Sequence, residues 1–346
     1  MSRAPRSIPS SVVAVTGGAR GIGRATAAAL VREGAHVAIA DVDLDEARAS
    51  ATALGPLAFA YELDVTDRAA FAAFFDRVEQ EVGPVDVLVN NAGIMALGPF
   101  VDESDDTARR QIDINLYGVM YGMKEAIPRM LARGGGHLIN VASVAGKAGY
   151  PGGATYCATK HAVVGLSDAV GAELKGVPIE VSAVCPAVVN TDLASGVSST
   201  RGVKISEPED VAEAIVETIR NPRPEVFVPR SVGPITRVIS VLPRSARAAV
   251  VRLIRGDQVL AKVDRERRAA YDERLSTWSS AARARQAALT DAGATAAPRE
   301  HPDAAPVSDG TPTQPDPVLA GASVRPEAER PPVGGDPVGT TTGEGR

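Results

Sequence analysis

The sequence predicts an α/β fold, a doubly wound parallel sheet of seven strands, on three observations. Short β-branched runs alternate with longer alanine-rich ones, the short runs are apolar throughout, and a glycine-rich turn directly follows the first of them. Strands that are apolar on both faces and separated by helices specify a parallel sheet covered on both sides. Right-handed crossovers then wind the sheet in two directions and place a ligand crevice at the carboxyl ends of the strands.

In order, the strand candidates are VVAVTG, HVAIAD, LAFAYELDV, VDVLVNNAG, GHLINVAS, IEVSAVCP and EVFVPR. Between them GRATAAALVREG, DLDEARASATALG, DRAAFAAFFDRVEQEVG, the stretch from Glu103 to Arg133, GGATYCATKHAVVGLSDAVGAELKG and EPEDVAEAIVETIR read as helices. The pattern predicts a lead over residues 1–10 and one catalytic domain over 11–230. An amphipathic helical extension over 231–280 carries valine, leucine and isoleucine on one side and arginines on the other. From 281 to 346 alanine, proline, glycine, threonine and acidic residues dominate. Too little apolar surface is available there to offset ordering entropy, so a disordered tail is expected.

The 346 residues are 45% hydrophobic and 23% charged, with a formal net charge of -5. That balance gives no general attraction to nucleic acid. The two cysteines, Cys157 and Cys185, and the four histidines form neither a disulfide framework nor a metal-ligand spacing, so no metal is expected and a reducing cytoplasm is the natural reading. The opening MSRAPRSIPSSVVAV lacks the apolar region of a signal peptide, and no run approaches the roughly 18 apolar residues of a spanning helix.

The first strand-to-helix turn reads VTGGARGIGRA. Gly17, Gly21 and Gly23, with Arg20 and Ile22 between them, permit a tight turn and the close approach of backbone to a pyrophosphate resting on a helix N-terminus. Its place after a strand and before a helix distinguishes it from a chance glycine cluster. Asp41 ends the second strand, where a carboxylate accepts from both adenosine ribose hydroxyls and repels a 2′-phosphate. NAD is therefore expected over NADP, although Arg20 could meet a 2′-phosphate. Asp64, after the third strand, is a candidate acceptor for the adenine amino group with Val65 against the ring, or else a turn or capping aspartate.

Tyr156 and Lys160, in TYCATKHAVVG, lie one helical turn apart on a shared face. An ammonium about 4 Å from a phenol is worth about 4 kcal/mol at an effective dielectric of ~20, enough to bring a tyrosine toward neutral acidity. An ordinary amphipathic helix gives the same spacing, so the surroundings decide. Taken together, TGGARGIG, NNAG at Asn90 to Gly93, Asn115 in INLYG, Ser143 in NVASVAG and YCATK resemble the short-chain dehydrogenase/reductase family in order and spacing, from Ser11 to about Arg230.

The resemblance implies a Rossmann-fold oxidoreductase that interconverts an alcohol and its ketone or aldehyde, with Asn115, Ser143, Tyr156 and Lys160 as catalytic tetrad. Tyr156 would be the general acid or base, and Lys160 would acidify it and hold the nicotinamide ribose. Ser143 would donate to the reacting oxygen, and Asn115 would help position a water relay. Asn91, Ala92 and Gly93 would lie against the cofactor, with Asn90 and Gly93 shaping the floor beneath the adenine ribose and a purely structural role open for Asn91. In CPAVVNTDL, Pro186, Val188 and Thr191 would meet the nicotinamide end, although Ala187 stands where the family commonly has glycine. The family also implies a homo-oligomer paired through its fourth and fifth helices.

Val144, Ala145, Ala148, Gly149 and Tyr150 after the serine, and Ile94, Met95, Leu97 and Phe100 after NNAG, favour a small lipophilic alcohol or carbonyl substrate. Asp192 to Glu207 reads as a lid. The extension admits two readings: a basic, amphipathic surface in peripheral contact with a membrane, or helices packed over the site or a subunit interface. Two other functions stay open. One is an NADPH-dependent 3-oxoacyl reductase, which would have to bypass Asp41. The other is a non-catalytic nucleotide-binding scaffold, against which the intact tetrad argues.

Overall fold

All seven apolar runs are strands: β1 (Val12–Thr16), β2 (His36–Asp41), β3 (Ala58–Glu62), β4 (Val85–Asn90), β5 (Gly136–Val141), β6 (Ile179–Pro186) and β7 (Glu225–Val228). The computed structural model describes residues 7–198, 203–253 and 256–277, so the expected tail over 281–346 lies outside the described residues. The strands form one sheet in the order β3-β2-β1-β4-β5-β6-β7, and every neighbouring pair is parallel. The order reverses between β1 and β4. Connections leave those two strands in opposite directions, which opens the crevice above their carboxyl ends.

Because side chains alternate across a strand, each apolar run feeds two cores. Val12 and Ala14 of β1 join the core beneath α3 (Arg68–Glu81), α5 (Gly118–Ala132) and α6 (Ala154–Glu173), where Phe71, Phe74, Phe75, Met123 and Met130 are buried. Val13 and Val15 join the core beneath α1 (Gly21–Arg32), α2 (Leu44–Leu54) and α7 (Pro208–Arg220), built from Leu30, Ile39, Ile215 and Ile219. The caps lie where short polar residues precede helices. Asp43 accepts from the Glu46 N–H, Asp67 from those of Ala69 and Ala70, and Glu207 pairs with Asp210 in a capping box.

The stretch expected to be one helix from Glu103 to Arg133 is interrupted. It runs as α4 (Asp105–Ile112), a π-helical turn over Asp113–Tyr117, and α5. A wide turn of this kind offsets the backbone ladder by one residue, and this one contains Asn115.

Beyond β7 the chain forms α8 (Val232–Val241), α9 (Arg244–Leu253), a short turn over Gly256–Gln258 and a helical run over 265–277. Pro243 lies between α8 and α9, where it cannot continue the preceding ladder. The extension belongs to the same compact unit as the sheet. It packs over the crevice, where Val232, Ile235, Val259, Leu260 and Tyr271 all line it.

Candidate active site

A cleft of about 1550 Å³ runs along the carboxyl ends of the strands, from Asp41 and Asp64 at one end to Tyr156 and Tyr271 at the other. Its floor near β1 is the glycine turn. Gly17 and Gly21 have φ of +61° and +51°, conformations that side chains disfavour. A Cβ on Gly23 would lie 2.1 Å from the Gly17 carbonyl oxygen, and one on Gly17 would lie 2.8 Å from Ala92 Cα. The turn therefore admits only glycine at these places, and it leaves the first turn of α1 open. Arg20, the N-cap of α1, makes no capping bond, and no acidic residue stands in the first turn. Uncapped N–H groups at the positive end of a helix fit a pyrophosphate.

Asn91 fixes that turn from the neighbouring strand. Its Nδ2 donates to the carbonyls of Thr16 (2.9 Å) and Gly17 (3.0 Å), while Thr16 Oγ1 accepts from the N–H groups of Asn91 and Ala92. The Asn91 side chain is thus taken up by structure, the alternative left open from sequence. Ile22, Ala92, Gly93 and Thr191 line the cleft around it, and a Cβ on Gly21 would meet Thr191 Cγ2 at 3.3 Å.

Asp41 accepts from the N–H groups of Ala19 and Asp43, each at 3.1 Å. Burial pushes its carboxyl above the usual value, against the pull of those two donors and of Arg20. The Arg20 guanidinium is held by Asp43 at 2.8 Å and Glu46 at 3.3 Å. Burial opposes its charge, but these carboxylates outweigh burial and raise its basicity. Asp64 lines the cleft beside Val65, and its Oδ1 also accepts from Thr66 N (3.0 Å) and Thr66 Oγ1 (2.7 Å). Asp67, not Asp64, caps α3.

The four tetrad residues come together at the far end, all buried. Ser143 follows β5, and its hydroxyl stands close enough to the Tyr156 phenol to favour the ionised form. Its Oγ also accepts from Ala145 N (3.1 Å) and reaches the Pro186 carbonyl at 3.4 Å. Lys160 Nζ donates to the Val141 carbonyl at 2.8 Å and lies 5.8 Å from the centroid of the Tyr156 ring. Asn115 is tethered at both ends of its amide. Oδ1 accepts from Ile94 N (2.8 Å), and Nδ2 donates to Ile94 O (2.9 Å) and Thr159 Oγ1 (3.1 Å).

The expected acidification of Tyr156 by Lys160 is not found. Burial pushes the phenol well above its ordinary value, and only the neighbouring Ser143 hydroxyl opposes that rise. Lys160 is itself pushed down to about 8 by burial. The reason is geometric: helical spacing brings the two side chains to one face, but a carbonyl of β5 takes the ammonium and the sheet excludes water from both groups.

The lining also departs from expectation in part. Val144, Ala145, Tyr150, Ile94 and Met95 wall the cleft, with Pro186 and Val188. Ala148, Gly149, Leu97 and Phe100 do not, and Phe100 is 68% exposed on a short turn outside it. Lys147 is turned aside into an ion pair with Glu225. Exposed His161 contacts the Cys157 carbonyl, and both cysteines are buried and free. Among the described residues no cluster of metal ligands occurs.

Two residues of the extension went unrecognised in the sequence. Tyr271 is 5% exposed, and its hydroxyl accepts from Met95 N at 3.1 Å. Arg268, 2% exposed, donates to the carbonyls of Leu193 (3.0 Å), Ser195 (3.2 Å) and Met95, and stacks 4.7 Å from the Tyr271 ring centroid. One buried guanidinium therefore ties the segment after β6 to the loop after β4. In ERRAAYDERL, Arg268 is indistinguishable from its neighbouring arginines. The available signal was Tyr271, the one aromatic residue between Arg230 and Thr277.

Comparison with known proteins agrees with this arrangement. The profile of the short chain dehydrogenase family matches residues 11–202. Sorbitol dehydrogenase of Cereibacter sphaeroides is 44% identical over 186 residues, 54% of this chain and 73% of that protein. The rat (Rattus norvegicus) 17-beta-hydroxysteroid dehydrogenase 13 is 30% identical over 254 residues, 72% of this chain and 84% of its own. A short chain dehydrogenase/reductase from Burkholderia phymatum, solved in complex with NAD, superposes with a TM-score of 0.63 at 26% identity, covering 71% of this chain and 96% of that one. A dinucleotide cradle at the β1 turn, a seven-stranded parallel sheet and these matches lead to one conclusion: the chain belongs to the short-chain dehydrogenase/reductase family and is an oxidoreductase that acts on CH–OH groups.

Proposed function

We propose that the protein is an NAD-dependent oxidoreductase interconverting a lipophilic alcohol and its ketone or aldehyde, with Tyr156 as general acid and base. The observation that carries this reading is the buried Tyr156 phenol, with the buried Ser143 hydroxyl beside it, set among apolar side chains. Met95, Ala145, Val259 and Leu260 pack in one cluster with Tyr156. A bound nicotinamide dinucleotide supplies or takes up the hydride. The chain's own residues handle the oxygen and its proton.

Ser143 donates to the substrate oxygen where negative charge develops during reduction. Tyr156 then gives that oxygen its proton, and in oxidation it must take the proton back. Burial favours the protonated phenol, so reduction suits neutral pH and oxidation requires alkali. Lys160, anchored on Val141, stands 3.7 Å from where a Cβ on Gly93 would be, and it would hold the nicotinamide ribose of a bound dinucleotide. Asn115, bonded to both main-chain groups of Ile94, holds the loop after β4 against the wide turn.

Two features support NAD over NADP. Asp41 meets the ribose end, and Arg20 is already paired with Asp43 and Glu46, so the cation best placed for a 2′-phosphate is neutralised. The same pairing weighs against a 3-oxoacyl reductase using NADPH. A polyol, the substrate in the name of the Cereibacter relative, would need polar partners that the cluster around Tyr156 does not offer. Exposed Ile112, Tyr117 and Leu131, all on the stretch from Glu103 to Arg133 that the sequence reads as its fourth helix, suit the homo-oligomer expected from the family. Titration with NADH and NADPH, then NADH oxidation across a ketone panel graded in chain length and polarity, tests the reading. Tighter NADPH than NADH binding, or turnover of polyols alone, would count against it.

A further inference from the structure

Helix α8 has apolar residues on two sides that meet. Val232, Ile235 and Ile239 face the cleft, whereas Ile235, Val238 and Val241 are 46%, 60% and 81% exposed. At 100° per residue these positions form one unbroken arc, and Ile235 belongs to both halves. The apolar wall of the cleft therefore continues over its rim onto the outside of the protein. Leu253, at the end of α9, adds another aliphatic side chain 75% exposed.

The charges along this part of the chain are of one sign. From Arg230 to Arg255 there are six arginines and no acidic residue, in a chain whose formal net charge is -5. Arg230, Arg237 and Arg252 are exposed. Such a face is a poor self-partner, because a two-fold interface sets a patch against its own copy and would bring cation to cation. No helix among the described residues is long and apolar enough to cross a membrane, and α8 and α9 are only 10 residues each. Aliphatic side chains in a cationic surround, on helices too short to span, suit the boundary between headgroups and acyl chains of an anionic bilayer.

We propose that α8 and α9 seat this protein on the surface of an anionic lipid bilayer, with α8 as the apolar ramp from the bilayer into the substrate cleft. The docking face rests on the geometry and charge of α8 and α9. Only the ramp's purpose rests on the lipophilic substrate proposed above.

Vesicle flotation of the full chain tests the seat. Wild type should float with vesicles containing phosphatidylglycerol, remain behind with phosphatidylcholine alone, and be released by salt. Val238→Asp with Val241→Asp, and separately Arg237→Glu, should each reduce the vesicle partition coefficient at least ~10-fold. None of these side chains lines the cleft, so turnover of a short water-soluble ketone with NADH should be unchanged and reports that the fold is intact. Failure of wild type to float, or equal flotation of the variants, overturns the seat. So does a drop in oligomer mass by light scattering in the valine variants without vesicle binding, which would make a second copy the occupant. Loss of ketone turnover in every form, with flotation intact, would overturn the proposed activity and leave the seat standing.

Discussion

Tyr156 shows how a side chain can be named from sequence while its acidity is set elsewhere. Its spacing to Lys160 was readable as a single helical turn, but the ammonium bonds to Val141 and burial dominates the phenol. Two outcomes follow. Tyr156→Phe should keep NADH affinity within about twofold and lose at least ~10³ in kcat, because only the transferred proton is removed; titration and steady-state kinetics check this. In the oxidation direction kcat/KM should climb from neutral into alkaline pH as the raised phenol ionises, while reduction stays flat or falls; a pH–rate profile in both directions reads it. At the other end of the cleft, Asp41→Ala should narrow the preference for NADH over NADPH by about tenfold. The ratio of the two dissociation constants is the measurement, and an unchanged ratio would remove Asp41 from cofactor choice.

Elements were legible to different degrees, for physical reasons. Strands β1 to β7 stand out because burial on both faces leaves uninterrupted apolar runs. The helix from Glu103 onward was also visible, but not the π turn at Asp113–Tyr117, since its residues have the same helical spacing as their neighbours. What holds Asn115 there is a bond to Ile94 in another loop. Least legible was the helical run over 265–277. Arg268 gains its role from carbonyls of Leu193, Ser195 and Met95, each more than 70 residues away. Arg268→Gln should therefore loosen the segment after β6, raising KM for the ketone roughly tenfold or more with little change in NADH affinity. It should also cost about 2–4 kcal/mol of stability, because a buried charge-assisted hydrogen-bond set is broken. Arg268→Lys should restore part of the stability and less of the KM, lacking the planar fork. An unchanged KM in both variants would show that the strap does not shape the substrate site.

The assembled protein also stores the burial of Lys160 as a pH-dependent term in its stability. Burial brings its native value from 10.5 to about 8. Between those values the unfolded chain binds a proton that the folded one has released, so raising the pH across that window stabilises the fold. The full effect is about 3 kcal/mol, absent below pH ~8 and complete above ~10.5. Urea midpoints at pH ~7.5 and ~9.5, wild type against Lys160→Met, isolate it: the difference between the two proteins should shift in favour of wild type at the higher pH. Parallel curves would mean that Lys160 is solvated.

The sequence by itself determined the sheet, its strand number, the glycine turn that only small residues can form, and which side chains gather at the carboxyl ends. Those features are written in short-range period and spacing, where local sterics and two-sided burial leave few alternatives. Tertiary structure alone decided that Arg20 is neutralised by α2, that burial and not the lysine governs Tyr156, and that the extension roofs the cleft through Arg268 and Tyr271. Desolvation and contacts between residues 23 to 176 positions apart depend on the whole packing, and no local pattern encodes them.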